Sequence, residues 1–221
     1  MGIKKVENTR KALLLGATGL VGSFCLKQLV NSPIYSEIYA PSRAKLDIAS
    51  RKLINPIVNF DQLDSLHEMF SVDDVYCCLG TTIAKAKSKE QFEKIDYHLV
   101  ITLAHLAHSA GARRLAFVSS MGASKRGSFY LKTKAKVEAG LTELGFQALH
   151  LVRPSLLLGE RKENRVLEKF AINVFSKTSF LFRGFLLRYK PVYAKDLASF
   201  MIVCLTEKKD GNYVHESNVI V

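Results

Sequence analysis

The chain has 221 residues, which suits one domain, and its 48% hydrophobic and 24% charged content is ordinary globular usage, so a disordered or fibrous chain is excluded. The formal charge of +12 admits three anionic partners, namely nucleic acid, a membrane surface or a small molecule, and composition does not choose among them. Cys25, Cys77, Cys78 and Cys204 form no CxxC pair, so no disulfide or zinc framework is expected and a reducing, cytoplasmic compartment is.

Met1 to Arg10 lacks the apolar core of a signal peptide, and no apolar run of about 18 residues offers a transmembrane helix. Beyond it, short Val-, Ile- and Leu-rich runs alternate with longer segments of helical spacing, the rhythm of βαβ units around a parallel sheet. The pattern predicts strands at Lys11–Leu15, Glu37–Ala40, Leu53–Val58, Val75–Leu79, Arg114–Ser119, Ala148–Arg153 and Asn212–Val214. Helices are expected at Leu20–Asn31, Gln62–Phe70, Ser88–Ser109, Tyr130–Leu144, Arg161–Ser176 and Asp196–Thr206. Pro33 stops the first helix, because the residue before a proline avoids the α region, and Gly111 caps the long helix Ser88–Ser109. The expected fold is α/β, a Rossmann-type doubly wound parallel sheet with helices on both faces.

The first strand runs straight into Gly16-Ala17-Thr18-Gly19-Leu20-Val21-Gly22 and then into an apolar helix. A glycine pattern alone fits an ordinary turn; at a strand-to-helix junction it points to dinucleotide binding. Gly16 permits the tight turn, Gly19 admits a pyrophosphate to the backbone, and Gly22 lets helix pack closely on strand. The helix N-terminus supplies N–H groups and positive dipole. Gly16, Thr18, Gly19, Leu20, Val21 and Gly22 are the expected contacts. The second strand ends in Ala40-Pro41-Ser42-Arg43, where an NAD-specific protein usually places a carboxylate for the ribose 2′-hydroxyl. A guanidinium there can bind a 2′-phosphate through two parallel charged bonds, with Ser42 adding another, so NADP is preferred to NAD. Asn59, with Phe60 beside it, is the candidate for the adenine.

The fifth strand ends in Ser119-Ser120, and ten residues beyond Ser120 a helix opens with Tyr130, followed at i+4 by Lys134 on the same face. A phenol titrating near 10 is a poor acid or base at neutral pH, and a neighbouring ammonium favours its phenolate. Ser120, at a strand's carboxyl end, can bond a substrate carbonyl oxygen.

With these motifs in place the chain resembles the short-chain dehydrogenase/reductase superfamily, in particular its atypical branch related to Tat-interactive protein. GATGLVG, CLGTT (Cys78–Thr82), VSSMGAS (Val118–Ser124), FYLKTKAKVE (Phe129–Glu138) and the run Arg153–Arg165 carry the resemblance in the expected order. It implies one NAD(P)-binding domain over residues 1–221, with 154–195 forming most of a small lid. Leu79, Gly80, Thr81 and Thr82 would line the dinucleotide, Arg153, Pro154 and Ser155 would lie near its nicotinamide end, and Ser120, Tyr130 and Lys134 would be catalytic. Two departures stand out: the Ser-to-Tyr interval is short, and no tetrad asparagine is identifiable in the helix Ser88–Ser109.

Arg161–Lys190 carries eight basic and two acidic residues, net +6, and five phenylalanines, which suits a lid over the nicotinamide, a membrane or partner surface, or a homodimer contact. His98 and His108, ten residues apart on one helix, are about 15 Å apart along its axis, too far for one metal ion, and no metal is expected. Cys77 and Cys78 point to opposite faces of a strand as core thiols. Two functions follow: an NADP-dependent oxidoreductase acting on an unidentified carbonyl or alcohol, or a non-catalytic NADP(H)-binding regulator that meets a protein or membrane. Nucleic-acid binding lacks any recognition motif and is not expected.

Overall fold

The computed structural model describes residues 10–62, 67–159, 188–207 and 210–220. Among the described residues nine strands form: β1 (Arg10–Leu15), β2 (Tyr35–Tyr39), β3 (Leu53–Ile54), β4 (Asp74–Cys77), β5 (Arg114–Val118), β6 (Ala148–Arg153), β7 (Leu157–Leu158), β8 (Val192–Tyr193) and β9 (Gly211–Glu216). Seven of them make one sheet in the order β3-β2-β1-β4-β5-β6-β9, every neighbouring pair parallel. Connections run outward from β1 in both directions, so the switch point lies between β1 and β4, where open α/β sheets form their ligand crevice. The helices are α1 (Leu20–Asn31), α2 (Ile83–Ala86), α3 (Lys89–Glu93), α4 (Val100–Ser109), α5 (Phe129–Glu143) and α6 (Ala194–Glu207).

Alternation along the strands divides the core in two. Ala12, Leu14, Tyr76, Ala116 and Val152 face the layer that includes residues of α1 and α6, whereas Leu13, Leu15, Val75, Leu115, Phe117 and Leu149 face the layer of α4 and α5. At the amino ends of the strands a polar knot ties three of them, β2, β4 and β5, together. Buried Asp74 accepts from the Tyr35 hydroxyl (2.6 Å) and from the Arg114 guanidinium, while the hydroxyls of Tyr35 and Tyr76 share a 2.6 Å bond.

Several elements depart from the pattern-based expectation for identifiable reasons. The third strand was expected over Leu53–Val58 and stops at Ile54; Pro56, two residues on, has no N–H to donate, and the chain continues as a single bridge between Ser42 and Ile57. The long helix expected over Ser88–Ser109 is three pieces: α3, a π-helical stretch at Lys94–Leu99, and α4. The one-turn α2, capped by Thr82, and the short β7–β8 ladder were not anticipated. Of the helix expected over Gln62–Phe70, a 3-10 turn at His67–Phe70 is seen and residues 63–66 lie outside the described residues. The expected helix Arg161–Ser176 and nearly all of the basic, phenylalanine-rich segment also lie outside them.

Candidate functional site

The carboxyl ends of β1, β4 and β5 open onto a cleft of two adjoining lobes, about 590 Å³ and 780 Å³, which share Thr18, Gly19, Leu79, Gly80 and Thr81. Backbone geometry explains the glycines between them. Gly16 has a φ of +84°, and a Cβ there would meet the Cys78 carbonyl oxygen at 2.7 Å; a Cβ at Gly22 would lie 2.0 Å from the carbonyl oxygen of Gly16. Only glycine lets α1 start this close to β1 and β4. Gly19 caps α1 without any side-chain bond, which leaves the helix N-terminus facing the cleft at Leu20 and Val21. Such a cradle fits the diphosphate of a dinucleotide.

The larger lobe is bounded by Ser42, Arg43, Asn59 and Phe60. Arg43 is exposed at its rim. The Ser42 hydroxyl is already engaged, donating to the Ala44 carbonyl (2.5 Å) and accepting from the Asn55 amide (2.8 Å). Asn55, which sequence reasoning missed, also binds Ala40 O and Leu46 N and thereby fixes the loop that carries Arg43.

The smaller lobe gathers Tyr130, Lys134, Ser119 and Leu157 beside the glycine loop. Ser128 caps α5 through the Leu131 amide, which sets Tyr130 in the first turn, and the ring of buried Phe92 packs 5.7 Å from the tyrosine ring. Lys134 is buried; its Nζ lies 5.1 Å from the Phe117 ring centroid and 5.9 Å from that of Tyr130. A second residue missed in the sequence completes this corner. Asp96, wholly buried in the π-helical stretch, places Oδ1 2.9 Å from Lys134 Nζ and accepts the Thr81 N–H on Oδ2 at 2.8 Å. Oδ1 has no well-angled hydrogen bond, so its attraction to Lys134 is chiefly that of charge.

One turn further along α5, Glu138 accepts from Arg153 through both oxygens (2.9 and 2.6 Å) and from the Ser119 hydroxyl (2.5 Å). That carboxylate holds the Arg153 guanidinium charged well beyond its usual range, and Glu216 adds a second contact at 3.2 Å. Arg153 thus ties β6 to α5 and β9 behind the cleft and is not part of its lining. The neighbouring residues do likewise: Pro154 O accepts the Met121 N–H, while Ser155 bonds Ser217 and the Lys190 carbonyl. Ser120 sits just past β5 with its hydroxyl 3.4 Å from Met121 O, and it is Ser119 that borders the cleft. Of the expected residues, the structure therefore brings together Tyr130, Lys134, the glycine loop, Leu79–Thr82 and the Ser42–Arg43 and Asn59–Phe60 corners. Tyr130, Lys134 and Glu138 stand at i, i+4 and i+8, so the third was readable from spacing.

Residues 12–219 match the NAD dependent epimerase/dehydratase family. Protein HTATIP2 of Rattus norvegicus is 36% identical over 176 residues, 77% of this chain and 72% of that protein. The mitochondrial protein FMP52 of Candida albicans is 36% identical over 86% of this chain and 85% of its own length. Among solved structures, Bordetella bronchiseptica WbmH in complex with NAD+ superposes with a TM-score of 0.72 at 14% identity, covering 95% of this chain and 76% of that one. MoeE5 in complex with UDP-glucose and NAD gives 0.70 at 14% identity over 92% and 74%. The glycine cradle at the switch point, the Tyr130–Lys134 helix and these matches agree: the chain belongs to the NAD dependent epimerase/dehydratase family, in the atypical short-chain dehydrogenase/reductase branch related to Tat-interactive protein.

Proposed function

We propose that the cleft binds NADP(H) and that the chain is an NADP-dependent oxidoreductase acting on a carbonyl or alcohol. The observation that carries this reading is the placement of Tyr130 and Lys134 in the same cavity as the glycine loop. The hydride chemistry would come from the dinucleotide held by the glycine loop. The chain's own part is proton handling: the Tyr130 hydroxyl donates to the substrate oxygen, and Lys134 favours the phenolate left behind. Ser120, or Ser119 from the cleft wall, orients that oxygen. At the other end, Arg43 meets the 2′-phosphate, which NAD lacks. A screen of NADPH oxidation against aldehydes, ketones and quinones, run beside Tyr130→Phe, tests the assignment; undiminished turnover in the mutant rejects it. For the cofactor, Arg43→Ala is expected to weaken NADPH binding about tenfold and leave NADH unchanged, and equal effects on both reject the 2′-phosphate contact.

A second reading, a non-catalytic NADP(H)-binding regulator of a protein or membrane partner, is favoured by Asp96. Its carboxylate lies closer to Lys134 Nζ than the tyrosine ring centroid does, 2.9 Å against 5.9 Å, and so offsets the charge that catalysis by Tyr130 requires. Tight NADPH binding without turnover on any substrate supports this reading. The same screen run on Asp96→Asn tests the offset, which predicts faster turnover in the variant. No helix among the described residues is long and apolar enough to cross a membrane, and the four cysteines form no disulfide with one another. We take the cytoplasm as the working location; since the fungal relatives carry "mitochondrial" in their names, fractionation beside a mitochondrial marker decides it.

A further inference from the structure

The layer between the sheet and α6 is built from aliphatic side chains such as Ala116, Val152, Leu197, Met201 and Leu205. Three side chains at its β9 edge break that pattern. His150 of β6, His215 of β9 and Cys204 of α6 are all buried, and none belongs to the cleft. Strand register explains how two of them meet: His150 pairs with Tyr213 and Val152 with His215, so the imidazoles of His150 and His215 stand on one face as diagonal neighbours. His150 Nδ1 lies 2.9 Å from His215 Nε2, Cys204 Sγ lies 3.9 Å from that same nitrogen, and the three atoms fall within 4.8 Å of one another.

We propose that His150, Cys204 and His215 form a three-ligand site for a thiophilic d10 metal ion, Zn2+ or Cu+. Bond lengths of about 2.0–2.1 Å to nitrogen and about 2.3 Å to sulfur separate ligand atoms around one ion by roughly 3.3–3.8 Å. The 3.9 Å from Cys204 Sγ to His215 Nε2 is already close to this, the widest spacing in the trio, 4.8 Å, needs to close by about 1 Å, and the two nitrogens need to open by about half an ångström once the proton between them is displaced. Imidazole with thiolate selects zinc or copper; with no oxygen ligand in the trio, magnesium and calcium are excluded. On binding, the Cys204 thiol releases its proton to water, and the proton held between the rings moves to the far nitrogen of the ring that carried it. The site joins β6, β9 and α6 at the sheet edge, so its role is structural. Spacing could not announce it, because 65 residues separate the two histidines.

The test uses the full chain, stripped with a chelator and titrated with Zn2+, with Cu+ under reductant, and with Co2+ as a spectroscopic reporter. The expected result is one equivalent bound, a near-ultraviolet thiolate-to-cobalt charge-transfer band, and a rise of several degrees in the thermal midpoint with zinc. Cys204→Ala and His215→Asn are each expected to abolish the band and to weaken binding about a hundredfold or more. Absence of uptake of both zinc and copper at micromolar concentration overturns the proposal. So does uptake that both variants retain. Should either variant fail to fold, the native titration decides, since metal bound without the thiolate band also overturns it.

Discussion

Removing Asp96 tests how the Lys134 corner of the candidate site is held. The pair it forms with Lys134 spans 2.9 Å and both side chains are almost wholly excluded from solvent, 0% and 4% exposed. At an effective dielectric of about 20 the attraction is roughly 6 kcal/mol, and desolvating two ions costs several kcal/mol each, so the intact pair is close to neutral relative to an apolar one. Breaking it from one side is different, because a buried charge is left without its partner. Asp96→Ala strands the Lys134 ammonium and also deprives the Thr81 N–H of its acceptor, for an expected loss of about 3–5 kcal/mol. Lys134→Met strands the carboxylate at a similar cost. The double variant removes both charges, and its loss should fall well below the sum of the two, with a coupling energy of about 2 kcal/mol or more. Urea unfolding of the four proteins measures the cycle. Strictly additive losses, or single variants each within about 0.5 kcal/mol of the parent, refute the claim that this pair is desolvated and coupled.

Other positions give independent tests. Gly22→Ala drives a methyl against the Gly16 carbonyl at 2.0 Å, and is expected to cost about 3 kcal/mol in urea unfolding and to weaken dinucleotide binding together with it. Glu138→Gln keeps the shape but removes the charge from three hydrogen bonds to Arg153 and Ser119; a loss of about 2 kcal/mol, or a thermal midpoint lower by about 4–8 °C, is expected by calorimetry. Burial pushes the Cys77 thiol up to about 12, so iodoacetamide at pH 8 should leave Cys77 unmodified in the folded protein while alkylating it after urea, as read by peptide mass spectrometry.

What could be read from the chain, and what could not, follows from the range of the interactions involved. The glycine loop and the i,i+4 pair Tyr130 and Lys134 are local devices, fixed by a turn and by one helix face, and both stand where pattern placed them. The alternation that split Leu13 and Leu15 from Ala12 and Leu14 is likewise a property of the strand itself. Asp96 was invisible for the opposite reason. Its importance comes from the π-helical stretch that turns it toward α5, 38 residues further along the chain, and no propensity or spacing marks such a stretch in advance. The same holds for Arg153, read as a contact at the nicotinamide end: its place on β6 was legible, but its commitment to Glu138 and Glu216 depends on α5 and β9 packing alongside.

This contrast bears on function. The residues legible in the sequence are those that the proposed reductase would set against a dinucleotide and a substrate. The two pairings visible only in the fold, Asp96 with Lys134 and Glu138 with Ser119, set carboxylates against groups of the candidate site. One of them offsets the charge of the cation that would activate Tyr130, and the other engages the hydroxyl that borders the cleft. Whether the chain turns over substrate or only holds its cofactor therefore rests on these two buried acids more than on the motif they adjoin. The Asp96–Lys134 cycle and the turnover of Asp96→Asn bear on that balance directly.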